Sequence, residues 1–288
     1  MSTMPPSSQT EIIIKPTTAW FVFDWRGLIE YRDLLRQLVV RDFTAKYKQT
    51  ILGPAWFFLN PLITTLMFTL IFNKVIGVPT DGVPPMLFYL CGMLGWTYFA
   101  AVLGATGNSL AGSAALFSKV YFPRLIPPFA LAVSCLLALS IQLITFFIFF
   151  VREHWFAHNP AVAGPSLVWL AFPAIVLHMA VLALGVGLIL STLTAKYRDL
   201  HHIQAFIIQL WMYATPIIYP LSRVPEKWRW VAQLNPMTSI VEATRKLFLG
   251  VGQVDPAQYA QSVVLSLVVF LVGIFAYQRA ARTFVDTV

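Results

Sequence analysis

Six stretches of the chain run without Asp, Glu, Lys or Arg for long enough to cross a lipid bilayer. They lie between Lys48 and Lys74, Asp81 and Lys119, Arg124 and Arg152, Glu153 and Lys196, Asp199 and Arg223, and Asp255 and Arg279. A hydrocarbon core roughly 30 Å thick takes about 20 apolar helical residues. Backbone polar groups in lipid must be satisfied inside the segment, so each stretch is read as helix. The pattern predicts an all-α integral membrane protein with six spans, at 55–73, 86–107, 126–150, 167–193, 203–219 and 260–278.

Outside these windows the polar residues follow a different rhythm. Between 25 and 50, Leu28, Tyr31, Leu35, Leu38, Val39, Phe43 and Tyr47 recur at three- and four-residue steps, while Asp33, Gln37, Arg41 and Lys48 fall on another face. That period predicts a helix lying along the cytoplasmic interface, either as an anchor or as a dock for a soluble partner. Gly53-Pro54 then breaks the chain ahead of the first span. In the 108–125 loop, 113–120 predicts a short helix ended by Pro123, which is either an ordinary connection or a knob for a groove on another protein.

Between spans five and six, Pro225 opens a short helix and Asn235-Pro236 ends it. A second helix follows from Met237 and stops at Gly250. Its Ile240, Val241, Leu247 and Phe248 are set against Glu242, Arg245 and Lys246, and Glu242 can pair with either cation at three or four residues' distance. This pair, at 225–249, is too amphipathic to span. It predicts a re-entrant or interfacial outer gate, with Trp228, Trp230, Glu242 and Arg245 as gate residues. The expected organisation is a tail over 1–24, the interface helix over 25–50, a transmembrane domain over 51–282 and a short tail over 283–288.

Composition sharpens the class. The 288 residues are 58% hydrophobic and 11% charged, with a mean hydropathy of +0.72; a soluble domain is about 25% charged. The net charge of +8 sits in the gaps between apolar runs, which suits lipid headgroups and not nucleic acid. With the gaps labelled alternately, 13 basic residues fall on the side of both termini and 7 on the other. The positive-inside rule therefore places both termini in the cytoplasm. Cys91 and Cys135 lie inside spans and read as packing residues. No apolar run follows a basic start, so no cleavable signal peptide is expected.

Several chemistries are missing. The dipeptide Gly-Lys never occurs, so the chain has no phosphate-binding loop of the Walker type. No His-Glu-x-x-His, paired Cys-x-x-Cys or Gly-x-Ser-x-Gly occurs either. His178, in the fourth span, reads as hydrogen-bonded to a neighbouring helix. Asn60, Gln142 and Gln209 read as interhelical hydrogen-bonding groups worth about 1 kcal/mol each, and His201-His202 as solvated. None of the twelve acidic residues is central to a span, which argues against an ion-coupled carrier. Energy must come from a partner.

Several phrases together resemble the transmembrane subunit of type-2 ABC exporters, in particular the polysaccharide export permeases. They are Tyr31-Arg32-Asp33-Leu34-Leu35, the run Arg41-Asp42-Phe43-Thr44-Ala45-Lys46-Tyr47-Lys48-Gln49-Thr50, Leu52-Gly53-Pro54-Ala55-Trp56, Gly107-Asn108-Ser109-Leu110, Ser118-Lys119-Val120-Tyr121-Phe122-Pro123-Arg124, Tyr197-Arg198-Asp199, and Pro225-Glu226-Lys227-Trp228-Arg229 with Asn235-Pro236. Lys46 stands where relatives often carry Arg, and the Pro/Ser-rich start has no clear counterpart. The resemblance implies a homodimer in a bacterial inner membrane, joined to two copies of a cytoplasmic ATPase that holds the ATP and Mg; this chain would bind no cofactor. It implies ATPase-coupling contacts at Arg41, Asp42, Lys46, Tyr47, Lys48, Ser118, Lys119, Tyr121, Arg124, Arg198 and Asp199, an exit gated by 225–249, and a lipid-linked glycan such as O-antigen as cargo.

Aromatic faces stack on sugars without holding one residue tightly. Trp56, Phe57, Phe68, Phe206, Trp211 and Tyr213 are therefore the channel-lining candidates, and the basic interface would recruit a pyrophosphate head. The competing readings are a permease of the same family for teichoic acid or capsule, a membrane glycosyl- or acyltransferase, and a non-catalytic scaffold. An enzyme needs clustered acids or His, and only scattered ones (Asp81, Glu153, His154, His158) appear.

Overall fold

The computed structural model describes residues 29–47, 51–117, 122–158, 164–197 and 199–285. The expected 1–24 tail and the coupling candidates Lys48, Ser118, Lys119, Tyr121 and Arg198 lie outside them, as do residues 286–288. Among the described residues every regular element is helical.

The longer helices are α1 (Arg32–Tyr47), α2 (Trp56–Phe68, continued as a π-helix over Thr69–Val75), α3 (Pro85–Thr106), α4 (Ile126–Val151, continued as a π-helix over Arg152–Phe156), α5 (Phe172–Lys196), α6 (Leu200–Ala214), α7 (Glu226–Leu234), α8 (Pro236–Leu249) and α9 (Pro256–Val285). Proline occupies the first or second position of α3, α4, α5 and α8, where its missing N–H removes no intrahelical bond. α9 begins on Pro256, with Asp255 Oδ1 accepting the Ala257 N–H at 2.9 Å.

Five segments, led by α2, α3, α4, α5 and α9, are long and apolar enough to cross a membrane. The expected span at 203–219 is helical only as far as Ala214. A 15-residue helix rises about 22 Å, and the non-helical residues after it complete the passage to the α7–α8 end, where Thr215 meets Asn235. The helix ends for a local reason: Thr215 precedes Pro216, is driven out of the helical region, and sits at φ −101°, ψ 139°. In the 113–120 segment, Ala114–Phe117 forms a single turn, preceded by another at Ser109–Gly112.

α3 is the hub. It packs against α2, α4, α5, α6 and α8, and Leu87, Phe88, Leu94, Phe99, Val102 and Leu103 are buried on several faces. α5 and α9 make the most extensive helix pair. Their axes approach closely because Gly185 faces Gly273; a Cβ on Gly185 would stand 2.7 Å from the Phe270 backbone. Small residues let membrane helices gain packing where no hydrophobic effect drives them together.

α1 packs on α4 as the amphipathic pattern required. Leu38 is buried with Phe122, Ile126 and Ala130, and Tyr31, Leu34, Leu35 and Val39 pack around them. The C-terminal part of α9 ends near the same region, where Tyr277 and Ala281 pack with Leu110 and Leu125. α7 and α8 lie at the opposite end, where α8 packs on α3, α5 and the start of α9.

Candidate functional site

The cap formed by α6, α7 and α8 is built on two polar joints. In the first, Asn235 Oδ1 accepts the Met237 N–H at 3.0 Å and starts α8. The same oxygen accepts the Trp211 indole N–H at 2.9 Å. Its Nδ2 donates to Thr215 Oγ1 at 2.9 Å. One side chain thus ties the end of α6 to the start of α8. Sequence reasoning treated Asn235-Pro236 only as a break; an Asn before a proline-opened helix is a cap signal.

The second joint is the Glu242–Arg245 pair that the three-residue spacing allowed, and its burial is what the amphipathic pattern did not show. Glu242 and Arg245 do not lie on a polar outer face; they are 3% and 1% exposed. Arg245 Nη1 donates to Glu242 Oε1 at 3.1 Å and to the Pro216 carbonyl, and Nη2 donates to the Ile217 carbonyl at 2.7 Å. The guanidinium lies over the Phe88 ring at 3.8 Å. Glu242 Oε2 accepts the Gln253 N–H at 2.8 Å. The chain leaves helical geometry at Thr215, so the Pro216 and Ile217 carbonyls lack helical partners, and Arg245 supplies the donors. Burial pulls the Arg245 pKa below the ordinary arginine value, and the adjacent Glu242 carboxylate pushes it back. Lys246 is exposed, as the pattern required, and so are Trp228 and Trp230 on α7. The four gate candidates therefore divide into a buried clamp and two surface aromatics.

The six channel-lining candidates are not brought together. Trp56 and Phe57 line a cleft of about 270 Å³ between α2, α3 and α4, together with Asn60, Thr64, Thr97 and Gln142. The Thr97 hydroxyl and the Gln142 amide are hydrogen-bonded there, which bears out Gln142 as an interhelical group. Phe57 also stacks on Phe43 of α1, with centroids 6.1 Å apart. Phe68 packs edge-on against Tyr89 and Phe72, a core role. Trp211 meets Phe99 edge-on at 5.0 Å and is spent on Asn235. Phe206 and Tyr213 are exposed on α6, along a stripe with Ile203 and Leu210. Gln209 lies exposed on the same helix and has no partner among the described residues, against the expectation of an interhelical bond.

His178 does bond across helices, with its Nε2 3.0 Å from Ser266 Oγ of α9. Cys91 and Cys135 are buried and form no disulfide among the described residues, as their placement in spans indicated.

At the α1 end, Arg41 is exposed and pairs with its neighbour Asp42 at 2.8 Å. Lys46 and Tyr47 belong to α1. Arg124 precedes α4 and is half-buried. Asp199 is exposed just before α6. A polar network that sequence reasoning missed joins α3, α5, α6 and α9 here. His201 Nδ1 is 2.7 Å from Asn108 Oδ1, and Asn108 Nδ2 donates to Gln204 Oε1 at 3.3 Å. Gln204 Nε2 donates to the Gly104 carbonyl at 3.0 Å, and Thr194 Oγ1 to the Gly107 carbonyl at 2.7 Å. Ser109 links Ser191 and Tyr277. His201 is thus exposed but bonded. The run Gly107-Asn108-Ser109 at the end of an apolar helix was the available signal. Among the described residues no group of His, Cys, Asp or Glu is placed to hold a metal ion.

A family model described as "ABC-2 type transporter" matches residues 33–249. The chain is 30% identical over 227 residues to the O-antigen export system permease protein RfbA of Myxococcus xanthus, covering 77% of this chain and 83% of that one. It is 26% identical over 261 residues to a protein of the same description from Klebsiella pneumoniae, covering 88% and 94%. It is 18% identical over 244 residues to the polysialic acid transport protein KpsM of Escherichia coli, covering 84% and 91%.

Proposed function

The chain belongs to the ABC-2 type transporter family, and we propose that it is the membrane permease of an ATP-driven exporter of a lipid-linked surface polysaccharide of the O-antigen class. It is a multi-pass membrane protein and works with a separate ATP-binding subunit, in keeping with the absence of a Gly-Lys dipeptide from its sequence. ATP and Mg reside on that partner. The export permeases among its relatives support the glycan reading.

The observation that carries the conduit is the exposed face of α6. Gln209 stands there among Phe206, Leu210 and Tyr213. An amide facing hydrocarbon costs several kcal/mol in unmade hydrogen bonds, on the order of 2–7. Lipid is therefore the wrong neighbour, and a wet passage or a second copy of the chain is the right one. In a homodimer the two α6 faces, with the Trp56–Phe57 cleft behind, border one route. Aromatic rings would let sugars slide past, and Gln209 would exchange hydrogen bonds with their hydroxyls. Both termini lie in the cytoplasm of a bacterial inner membrane. α1, with Arg41, Asp42, Lys46, Tyr47 and Lys48, and the loops at Ser118, Lys119, Tyr121, Arg124, Arg198 and Asp199 receive the ATPase. α7 and α8 close the outer mouth.

The test is reconstitution of the chain with its ATPase in proteoliposomes carrying the lipid-linked glycan. Export requires both proteins, and the glycan lipid stimulates ATP hydrolysis. Phe206→Ala and Gln209→Leu slow export while leaving assembly intact. Transport by the chain alone, or export unchanged in both variants, refutes the proposal.

A further inference from the structure

Two cavities flank the outer ends of α8 and α9, and they differ in kind. One, of about 610 Å³, is walled by Trp169, Leu247, Phe248 and other apolar groups. The other is a polar cleft of about 240 Å³ between α7 and the start of α9, lined by Arg229, Gln233, Gln253, Asp255 and Gln258. Its inner end continues to Thr238.

Several polar groups of this second cleft find no partner among the described residues. Thr238 is 2% exposed, yet its hydroxyl has no hydrogen-bond partner among the described residues. Arg229 Nε is buried and equally unmatched. Among the described residues the side-chain amides of Gln233, Gln253 and Gln258 make no hydrogen bond to protein. Asp255 is engaged through Oδ1 alone, with the Ala257 N–H. Buried polar atoms without partners are uncommon in folded proteins, and two of them, Thr238 Oγ1 and Arg229 Nε, border this cleft beside the half-buried Gln233 and Gln258 and the exposed Gln253 and Asp255.

The donor set selects the ligand. Each amide offers planar donors and an acceptor side by side, the guanidinium offers further donors, and the carboxylate accepts. Vicinal hydroxyls, each both donor and acceptor, match that array. One cation and one anion cancel, so a phosphate or uronate is opposed by Asp255 and an amine by Arg229. Leu221 and Val254 are the apolar residues of its wall, too little surface to hold an acyl chain.

We infer that this cleft is an exit subsite that holds a neutral, hydroxyl-rich sugar unit of the emerging glycan. The inference rests on the polysaccharide-export reading and adds a place outside the conduit where the chain is handed off. Weak, exchangeable hydrogen bonds at the exit would favour forward movement over slipping back.

The test is photo-cross-linking in glycan-producing cells that carry the full permease with its ATPase. p-Benzoylphenylalanine replaces Val254, which lines the cleft, or, separately, Phe206 on α6. Irradiation at 254 is expected to attach a ladder of glycan lengths to the permease. Combining Arg229→Ala with Gln258→Ala lowers that yield roughly tenfold and leaves the ladder at 206 unchanged. Gln233→Ala, a milder change, lowers it in the same direction. A ladder at 206 with none at 254, or capture only of lipid at 254, overturns the exit subsite and leaves the export reading standing. No glycan at either position overturns both.

Discussion

The clamp between Glu242 and Arg245 gives a quantitative test of how the cap is held. Removing Glu242 by Glu242→Leu leaves a guanidinium that is 1% exposed without its counter-charge, a loss of about 3–5 kcal/mol. Arg245→Met strands the Glu242 carboxylate and also orphans the Pro216 and Ile217 carbonyls, at about 1–3 kcal/mol each. It is the more damaging single change. The double variant abolishes both charges, so the uncompensated-ion penalty vanishes. What persists is the pair of orphaned carbonyls and the Gln253 N–H that Glu242 Oε2 accepts, together about 3–9 kcal/mol. A purely ionic pair would instead make the double variant nearly neutral. The assay is the thermal midpoint of the purified protein in mild detergent, where each kcal/mol shifts the midpoint by about 2–4 °C. The expected order puts wild type first and Arg245→Met last, with Glu242→Leu and the double variant between them. A double variant that melts with wild type refutes the carbonyl-capping argument. A Glu242→Leu protein that melts with wild type shows that the pair is not desolvated.

Three further outcomes follow from named contacts. Asn235→Ala removes the cap of α8 and the acceptor for Trp211, and lowers stability by about 1–2 kcal/mol; Asn235→Asp keeps the shared acceptor and loses less, as parallel melting curves would show. Gly185→Ala places a Cβ 2.7 Å from the Phe270 backbone and destabilises the α5–α9 pair by about 1–3 kcal/mol. Gly112→Ala, which meets nothing within 4 Å, melts no lower than wild type. Arg41→Glu reverses an exposed charge that pairs only with its neighbour Asp42 among the described residues; it weakens co-purification with the ATP-binding partner roughly tenfold at an unchanged midpoint, and intact association would exclude α1 as the coupling surface.

Features whose cause lies within a few residues were legible without coordinates. Long charge-free windows read as membrane helices because hydrocarbon penalises any unpaired polar group wherever the chain goes next. The three- and four-residue rhythm around Leu38 marked the face of α1 that meets α4, since helical periodicity is a local property. Proline at helix starts and Gly250 after α8 worked in the same way, and Gly250 takes the left-handed φ of 72° that its position signalled.

Other features depend on partners distant in the chain. Glu242 and Arg245 looked like an outer polar face because sequence cannot show that the Pro216 and Ile217 carbonyls, nearly thirty residues earlier, end up beside them. Gln142 and Gln209 are the same residue type in similar apolar surroundings, yet one meets Thr97 across a helix interface and the other stays exposed on α6. The aromatic candidates divided for the same reason: Phe68 and Trp211 found core partners, while Phe206 and Tyr213 did not. Lipid as solvent dictates which segments become helices, but it is indifferent to which apolar face turns inward. That choice falls to packing density, close glycine contacts and the pairing of the few polar atoms, and all three are settled only when the helices meet.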